Sequence, residues 1–289
     1  MVSIIISSYL PKYFSALEKN IAETIGVPYE IIKVDNPGLM GICEAYNKGA
    51  QKAQFDYLLF IHEDILFKTE NWGPQLISHL DKENTGIVGV AGSSYVPSAP
   101  SSWTVSEKYN VVNILQGDKN STESVPIHTT KRNREKVFAV DGVFMAIKKV
   151  NYLLFKFNES ILKGFHGYDL DLSLRVSKKF QNYVIDDILI EHFSKGNPDK
   201  VWLDNNILVK QNIDSGFQQK NDSETEKKAF LGFLYNYFKY YPVNKKSIAL
   251  TLKFYPKKLN FNDHLAIIKK YFQYIRYHKS INNKTNTNF

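Results

Sequence analysis

Four short apolar runs constrain this chain more than anything else in it. Residues 2–7 (VSIIIS), 29–34 (YEIIKV), 57–61 (YLLFI) and 87–91 (IVGVA) are five or six residues long and rich in β-branched side chains. Runs of that length and composition read as strands buried on both faces. The stretches between them have helical spacing. Ile42, Ala45, Tyr46, Gly49, Ala50 and Ala53 fall on one face of a helix, and residues 15–24 and 72–80 read as two further helices. Asp35-Asn36-Pro37-Gly38 is turn chemistry that ends the second run. Strand and helix therefore alternate, which predicts an α/β fold: an open, mostly parallel sheet with helices on both faces.

The later sequence is less regular. Residues 92–136 are rich in Ser, Pro, Asn, Lys and Thr with little periodicity, and are expected to form a long irregular functional loop or lid, or to be partly disordered. Residues 137–148 (VFAVDGVFMAIK) read as strand, glycine kink, strand. Residues 164–179 read as a loop entering a helix, and 183–190 as one more strand. The expected domain boundary lies at 221/222. Beyond it, Ser223 and Glu226 fit a capping box, Phe230, Phe233, Leu234, Tyr237, Phe238 and Tyr241 follow helical spacing, and a second helix over 262–278 carries Leu265, Ile268, Phe272 and Ile275 on one face.

Charge follows the same division. The 289 residues carry a formal net charge of +8. Residues 239–289 hold eleven Lys/Arg against Asp263 alone, a net of +10, so the rest carries −2. The excess is a basic, aromatic extension on a nearly neutral domain, not the footprint of a nucleic-acid-binding protein. With 43 % hydrophobic residues disorder is excluded as the main state. Cys43 has no partner for a disulfide and fits a small buried residue in a reducing compartment. No apolar run approaches the ~20 residues of a membrane span, and the opening MVSIIISSY lacks the basic n-region of a signal peptide. The expected location is cytoplasmic, with the extension either touching the inner face of the plasma membrane or packing on the catalytic domain or a second copy as a homodimer.

In open parallel sheets ligands bind beyond the carboxyl ends of the strands. The groups there are Ser8-Tyr9, Asp35-Asn36, His62-Glu63-Asp64, Asp141-Gly142 and Glu191-His192. Carboxylates and a His converging at one edge point to a divalent cation and a polyanionic ligand. No GxGxxG or Walker-type loop is present to cradle phosphate without a metal. Oxygen and imidazole donors suit Mn²⁺ or Mg²⁺, and Mn²⁺ ahead of Mg²⁺ where a His ligates.

The ordered set SIIISSY, VDN, GICEAYNKGAQKA, YLLFIHED, VDGVFMAIKK, GYDLDLSLR and IEHFSKG resembles family 2 glycosyltransferases of the GT-A fold. Within them it is most similar to the subgroup named after a streptomycin-biosynthesis protein, whose acidic motif reads HED. The resemblance spans residues 2–205. It implies inverting transfer of a sugar from a nucleotide-sugar donor, UDP-linked as a first reading, to a glycan or glycolipid hydroxyl in surface-glycan or lipopolysaccharide biosynthesis. A non-catalytic nucleotide-sugar-binding or scaffold subunit of the same fold is the alternative. Ser8, Tyr9 and Asp35 match nucleotide-holding positions, Asp35 toward the base, with Asn36, His62 and Glu63 beside them. Asn47 and Gly49 match helix positions that let the chain approach the donor. Asp64 matches the metal-binding Asp, and His62 stands where most relatives carry the first Asp of the motif. Asp169 matches the general base, Tyr168 replaces the Glu that often precedes it, and His192 matches a late His that completes the metal site.

The chemistry asks for the same minimum. An acceptor hydroxyl needs a carboxylate to take its proton, and a departing diphosphate needs a cation. Asp64 and Asp169 supply the two acids. Asp171 stands four residues before Arg175 and reads as a helix ion pair. His166, in a loop, and Trp103, in the irregular segment, are candidates for sugar contact, as are Asp141 and Gly142. Trp103 fits equally well as a residue pinning its loop to the core.

Overall fold

The computed structural model describes residues 1–118, 123–194, 196, 198–213 and 216–286. The chain forms two compact units, one of residues 1–95 and 107–197, the other of 96–106 and 198–289. The division at 197/198 differs from the expected 221/222, because residues 198–221 belong with the extension.

In the first unit the four apolar runs become strands at or near the expected bounds. β1 (Val2–Ser8) leads through α1 (Pro11–Thr24) to β2 (Tyr29–Asp35), and α2 (Ile42–Lys52) leads to β3 (Tyr57–Ile61). Pro11 opens α1 four residues earlier than periodicity alone indicates, at a position where its missing N–H costs nothing. β4 (Ile65–Phe67), α3 (Trp72–Asp81), β5 (Thr85–Gly89) and β6 (Ala91–Ser93) follow. The segment expected to be irregular instead supplies β7 (Asn110–Gln116), β8 (Val125–His128) and β9 (Arg134–Val137), ahead of β10 (Ala139–Val140) and β11 (Phe144–Lys148). α4 (Lys149–Phe155), α5 (Tyr168–Val176), β12 (Gln181–Ile185) and β13 (Ile190–His192) complete the unit.

Seven strands make the main sheet in the order β2-β1-β3-β11-β5-β12-β9. β1 lies parallel to both β2 and β3, whereas β11 runs antiparallel to β3 and β5. The sheet is thus mixed, and β12 likewise pairs parallel with β5 and antiparallel with β9. A second sheet, β10-β6-β7-β13-β4 with β8 on the outside of β7, stands beside it. What reads as one strand over 183–190 is two, β12 in the main sheet and β13 in the second.

The second unit is helical: α6 (Lys200–Asn212), α7 (Ser223–Tyr240), α8 (Lys245–Leu252), α9 (Phe261–Arg276) and α10 (His278–Asn286). Phe230, Phe233, Leu234, Tyr237 and Phe238 of α7 are buried with Leu203, Phe254 and Ile267 in a core of its own. The N-cap of α7 is Asp222, which accepts from the Thr225 amide at 3.0 Å. Ser223 is diverted to Asp263 and Glu226 to the Ser98 amide, so the expected capping box does not form. Among the described residues no helix is long and apolar enough to cross a membrane.

Candidate active site

The parallel register of β1, β2 and β3 sets three strand ends side by side. Ser8 pairs with Asp35, and Ile6 pairs with Ile61, the residue before His62. The carboxylate of Asp35 is exposed at this edge, 2.7 Å from Lys33 Nζ. Glu63 is buried, and its Oε1 accepts from the backbone amides of Tyr9 and Leu10 at 3.1 and 2.9 Å. It braces the loop after β1 while leaving Tyr9 exposed.

Asp64 and His192 meet through the second sheet. β4 pairs antiparallel with β13, with Ile65 opposite His192, and the Phe193 amide donates to the Asp64 carbonyl at 3.0 Å. His192 Nε2 lies 3.8 Å from Asp64 Oδ1, and His62 Nδ1 lies 3.9 Å from the same oxygen. The ligand atoms of His62, Asp64 and His192 all fall within 4.8 Å of one another. Two imidazoles and a carboxylate at this spacing fit a divalent cation, and the set includes His62, for which the sequence indicated only a nucleotide contact. Gln116 braces the backbone around His192. Its amide donates to the carbonyls of His192 and Ser194 at 3.1 and 3.0 Å, while Ser194 Oγ lies 3.1 Å from His192 Nε2.

α5 brings the candidate base to the same place. Tyr168, its first residue, is buried and sets its hydroxyl 2.7 Å from His62 Nε2. A side chain at position 142 would collide with that hydroxyl, which is why a glycine stands there. Gly142 also donates its amide to Asp169 Oδ2 at 3.2 Å. Burial, and then the charge of Asp141, raise the Asp169 carboxyl to about 7. Burial likewise holds the Tyr168 phenol well above its ordinary range, so it stays protonated. Asp171, two residues on, faces inward to Arg175 at 2.5 Å and is a buried structural pair.

Two expected nucleotide contacts, Asn36 and Asn47, bond within the protein. Asn36 is buried in its own turn, where its amide group bonds Ser7 and both backbone groups of Met40. Asn47 turns toward the loop after α4, bonding Phe157, Glu159 and the Tyr152 hydroxyl. Gly49, expected as a donor-approach position, lets α2 lie against Ile5 of β1. His166 is half-buried in the loop before α5, and Trp103 lies in the second unit.

A model of a "Glycosyltransferase like family" matches residues 4–232. The chain belongs to this glycosyltransferase-like family. No curated protein sequence matches it. Among solved structures the chain is similar to residues 1–349 of S. aureus TarS, with TM-score 0.55 and 12 % identity over 99 % of this chain and 89 % of that one. It is similar also to a mannosyltransferase from Pyrobaculum calidifontis in complex with GDP-Man and Mn²⁺, with TM-score 0.51 and 10 % identity over 99 % and 84 %. A third, GalNAc-T7 with UDP, GalNAc and Mn²⁺, gives TM-score 0.51 and 12 % identity over 73 % of this chain. The chain spans about half the length of GalNAc-T7 and of the longer TarS chain. These likenesses establish the GT-A glycosyltransferase fold.

Two supports of this site, Gln116 and Tyr168, were not among the expected functional residues. Gln116 lies in the segment with no periodicity. Tyr168 reads as a weakened motif, yet it bonds the other residue that departs from the family pattern, His62. Two departures, at His62 and Tyr168, were the available signal.

Proposed function

We propose that this chain transfers a sugar from a nucleoside diphosphate donor to a hydroxyl of a glycan or glycolipid, with inversion at the anomeric carbon. The observation that carries the reading is the His62–Asp64–His192 cluster joined through Tyr168 to the half-buried Asp169. Ser8, Tyr9 and Asp35, at the ends of β1 and β2, hold the nucleotide, and the loop they border is set by Glu63. Asp169 takes the proton of the acceptor hydroxyl as it attacks. A single base on the acceptor side supports one displacement, hence inversion.

His62, Asp64 and His192 would hold the cation, which supplies charge neutralisation to the leaving diphosphate. Two imidazole donors favour Mn²⁺ over Mg²⁺. UDP stands first among the nucleotides, since GalNAc-T7 is seen with UDP and the 1–349 portion of TarS with UDP-GlcNAc. GDP is the next choice, from the mannosyltransferase.

The test is a thermal-shift screen of UDP-, GDP-, dTDP- and CMP-sugars with and without Mn²⁺. A ligand of the native state raises the melting temperature. One nucleotide should do so, and only with the metal. No shift with any donor in Mn²⁺ would overturn the reading. The anomeric configuration of the product, read by NMR, tests inversion separately.

A further inference from the structure

α9 is apolar on two faces, and only one of them is used. Ile267, together with Asp263, turns inward and is buried, with Tyr271 and Tyr274 half-buried beside it. Phe261, Leu265, Ile268, Phe272 and Ile275 recur at a 4-3-4-3 spacing on the other side and are all exposed, Phe272 at 67 %. With Leu252, the last residue of α8, and Tyr255, the lower part of this stripe lines a groove of about 410 Å³ whose walls are almost wholly apolar. Exposed side chains of this size in one continuous stripe mark a contact surface.

The charge around the stripe identifies what it contacts. Lys253, Lys257, Lys258, Lys269, Arg276 and Lys279 are exposed on or beside the helices that form it. The only acid between residues 239 and 289 is Asp263. It is buried, accepts from Lys227 Nζ at 2.6 Å and from Ser223 Oγ at 2.7 Å, and so offers the rim no compensating charge. We propose that this stripe docks on an anionic lipid bilayer, its apolar residues entering the headgroup boundary and its cations pairing with lipid phosphates.

A second copy fits less well, since an isologous contact would set the same row of cations face to face. Nucleic acid fits less well too, because the aliphatic Leu265, Ile268 and Ile275 separate Phe261 from Phe272 and give successive bases no continuous row of rings to stack on. The inference rests on the second unit alone and does not depend on the donor or the metal.

The experiment is flotation of the full chain with vesicles of phosphatidylcholine alone and of equal parts phosphatidylcholine and phosphatidylglycerol. The protein should float with the anionic vesicles, and less so as salt screens the rim. Each cation near a charged surface contributes roughly a fivefold gain in partitioning, so Lys269→Glu with Arg276→Glu should weaken binding by about 25-fold or more. Ile268→Ser with Phe272→Ser should weaken it at least about tenfold, with the melting temperature unchanged because both residues are exposed. Failure of the wild-type chain to float at low salt, or equal flotation of the apolar variant, would overturn the proposal. So would a dimer in sedimentation equilibrium that the same serine substitutions abolish, since the stripe would then belong to a second copy.

Discussion

The Tyr168 hydroxyl lies 2.7 Å from His62 Nε2, and this bond decides which nitrogen of His62 is free. His62 Nδ1 is the atom that faces Asp64, at 3.9 Å. Ligation through Nδ1 leaves the ring proton on Nε2, where Tyr168 accepts it. The phenol, held protonated by burial, stays neutral and acts on His62 only through this hydrogen bond.

Tyr168→Phe should therefore weaken Mn²⁺ binding by about 10- to 100-fold, the usual cost of losing the partner that orients a ligating His. The measurement is a Mn²⁺ titration of the donor-free protein by electron paramagnetic resonance. The ¹⁵N shifts of His62 should also lose their single-tautomer pattern. Unchanged metal affinity and unchanged shifts would leave Tyr168 a packing residue only.

Asp169, as the proposed base, should set the pH behaviour of both activity and stability. As a base it works only when ionised, so kcat/KM should rise with pH through about 7. Asp169→Asn should lower kcat by roughly 100- to 10,000-fold and remove that limb of the profile, with donor binding kept. For stability the sign reverses. A carboxyl raised from about 3.9 in the unfolded chain binds its proton more tightly when folded. Its contribution is whole below about pH 4 and lost as pH rises through the folded value. In EDTA, Asp169→Asn should accordingly raise the melting temperature at about pH 8 more than at about pH 4. An equal shift at both would contradict the assignment.

The same physics explains how far the fold was readable from the residues. β1 and β3 are buried on both faces between neighbours, so their side chains are continuously apolar, and the groups that end them stand out. β7 is another matter. Asn113 is buried inside it, donating to the carbonyls of Asp186 and Ile188, and such internal polar bonds erase the apolar run by which a strand is recognised. Asn47 misleads in the opposite direction, because a polar residue on a helix beside a ligand edge looks functional until its bonds to Phe157 and Glu159 are seen. His62 and Asp64 could be singled out because they directly follow β3 at the ligand edge, although His62 was expected to contact nucleotide, whereas Asp169, on α5, was singled out by the family resemblance. The bracing of His192 was not, because Gln116 reaches it across 76 residues of chain.

That bracing is testable. Gln116→Leu removes the donors to the His192 and Ser194 carbonyls and should cost about 1–3 kcal/mol in urea unfolding. It should also weaken Mn²⁺ binding, since His192 loses the support that fixes the end of β13. Loss of stability with metal affinity intact would show that Gln116 serves the sheet and not the site.

Asp169 and Asp171 stand two residues apart on α5 and should separate cleanly. Asp171 is 1 % exposed and holds Arg175, whose remaining donors reach the carbonyls of Phe155 and Lys156 at the end of α4. Asp171→Ala leaves a guanidinium with its counter-charge removed in a partly buried place, at a cost of about 3 kcal/mol. Urea unfolding should show that loss. The protein that remains folded should keep its pH profile, because the proton acceptor is untouched. A variant that folds normally but loses the limb near pH 7 would move the base from Asp169 to Asp171. Loss of stability in Asp171→Ala, set against loss of turnover in Asp169→Asn, would keep the roles as the geometry places them: one carboxylate turned to the arginine, the other resting on the Gly142 amide.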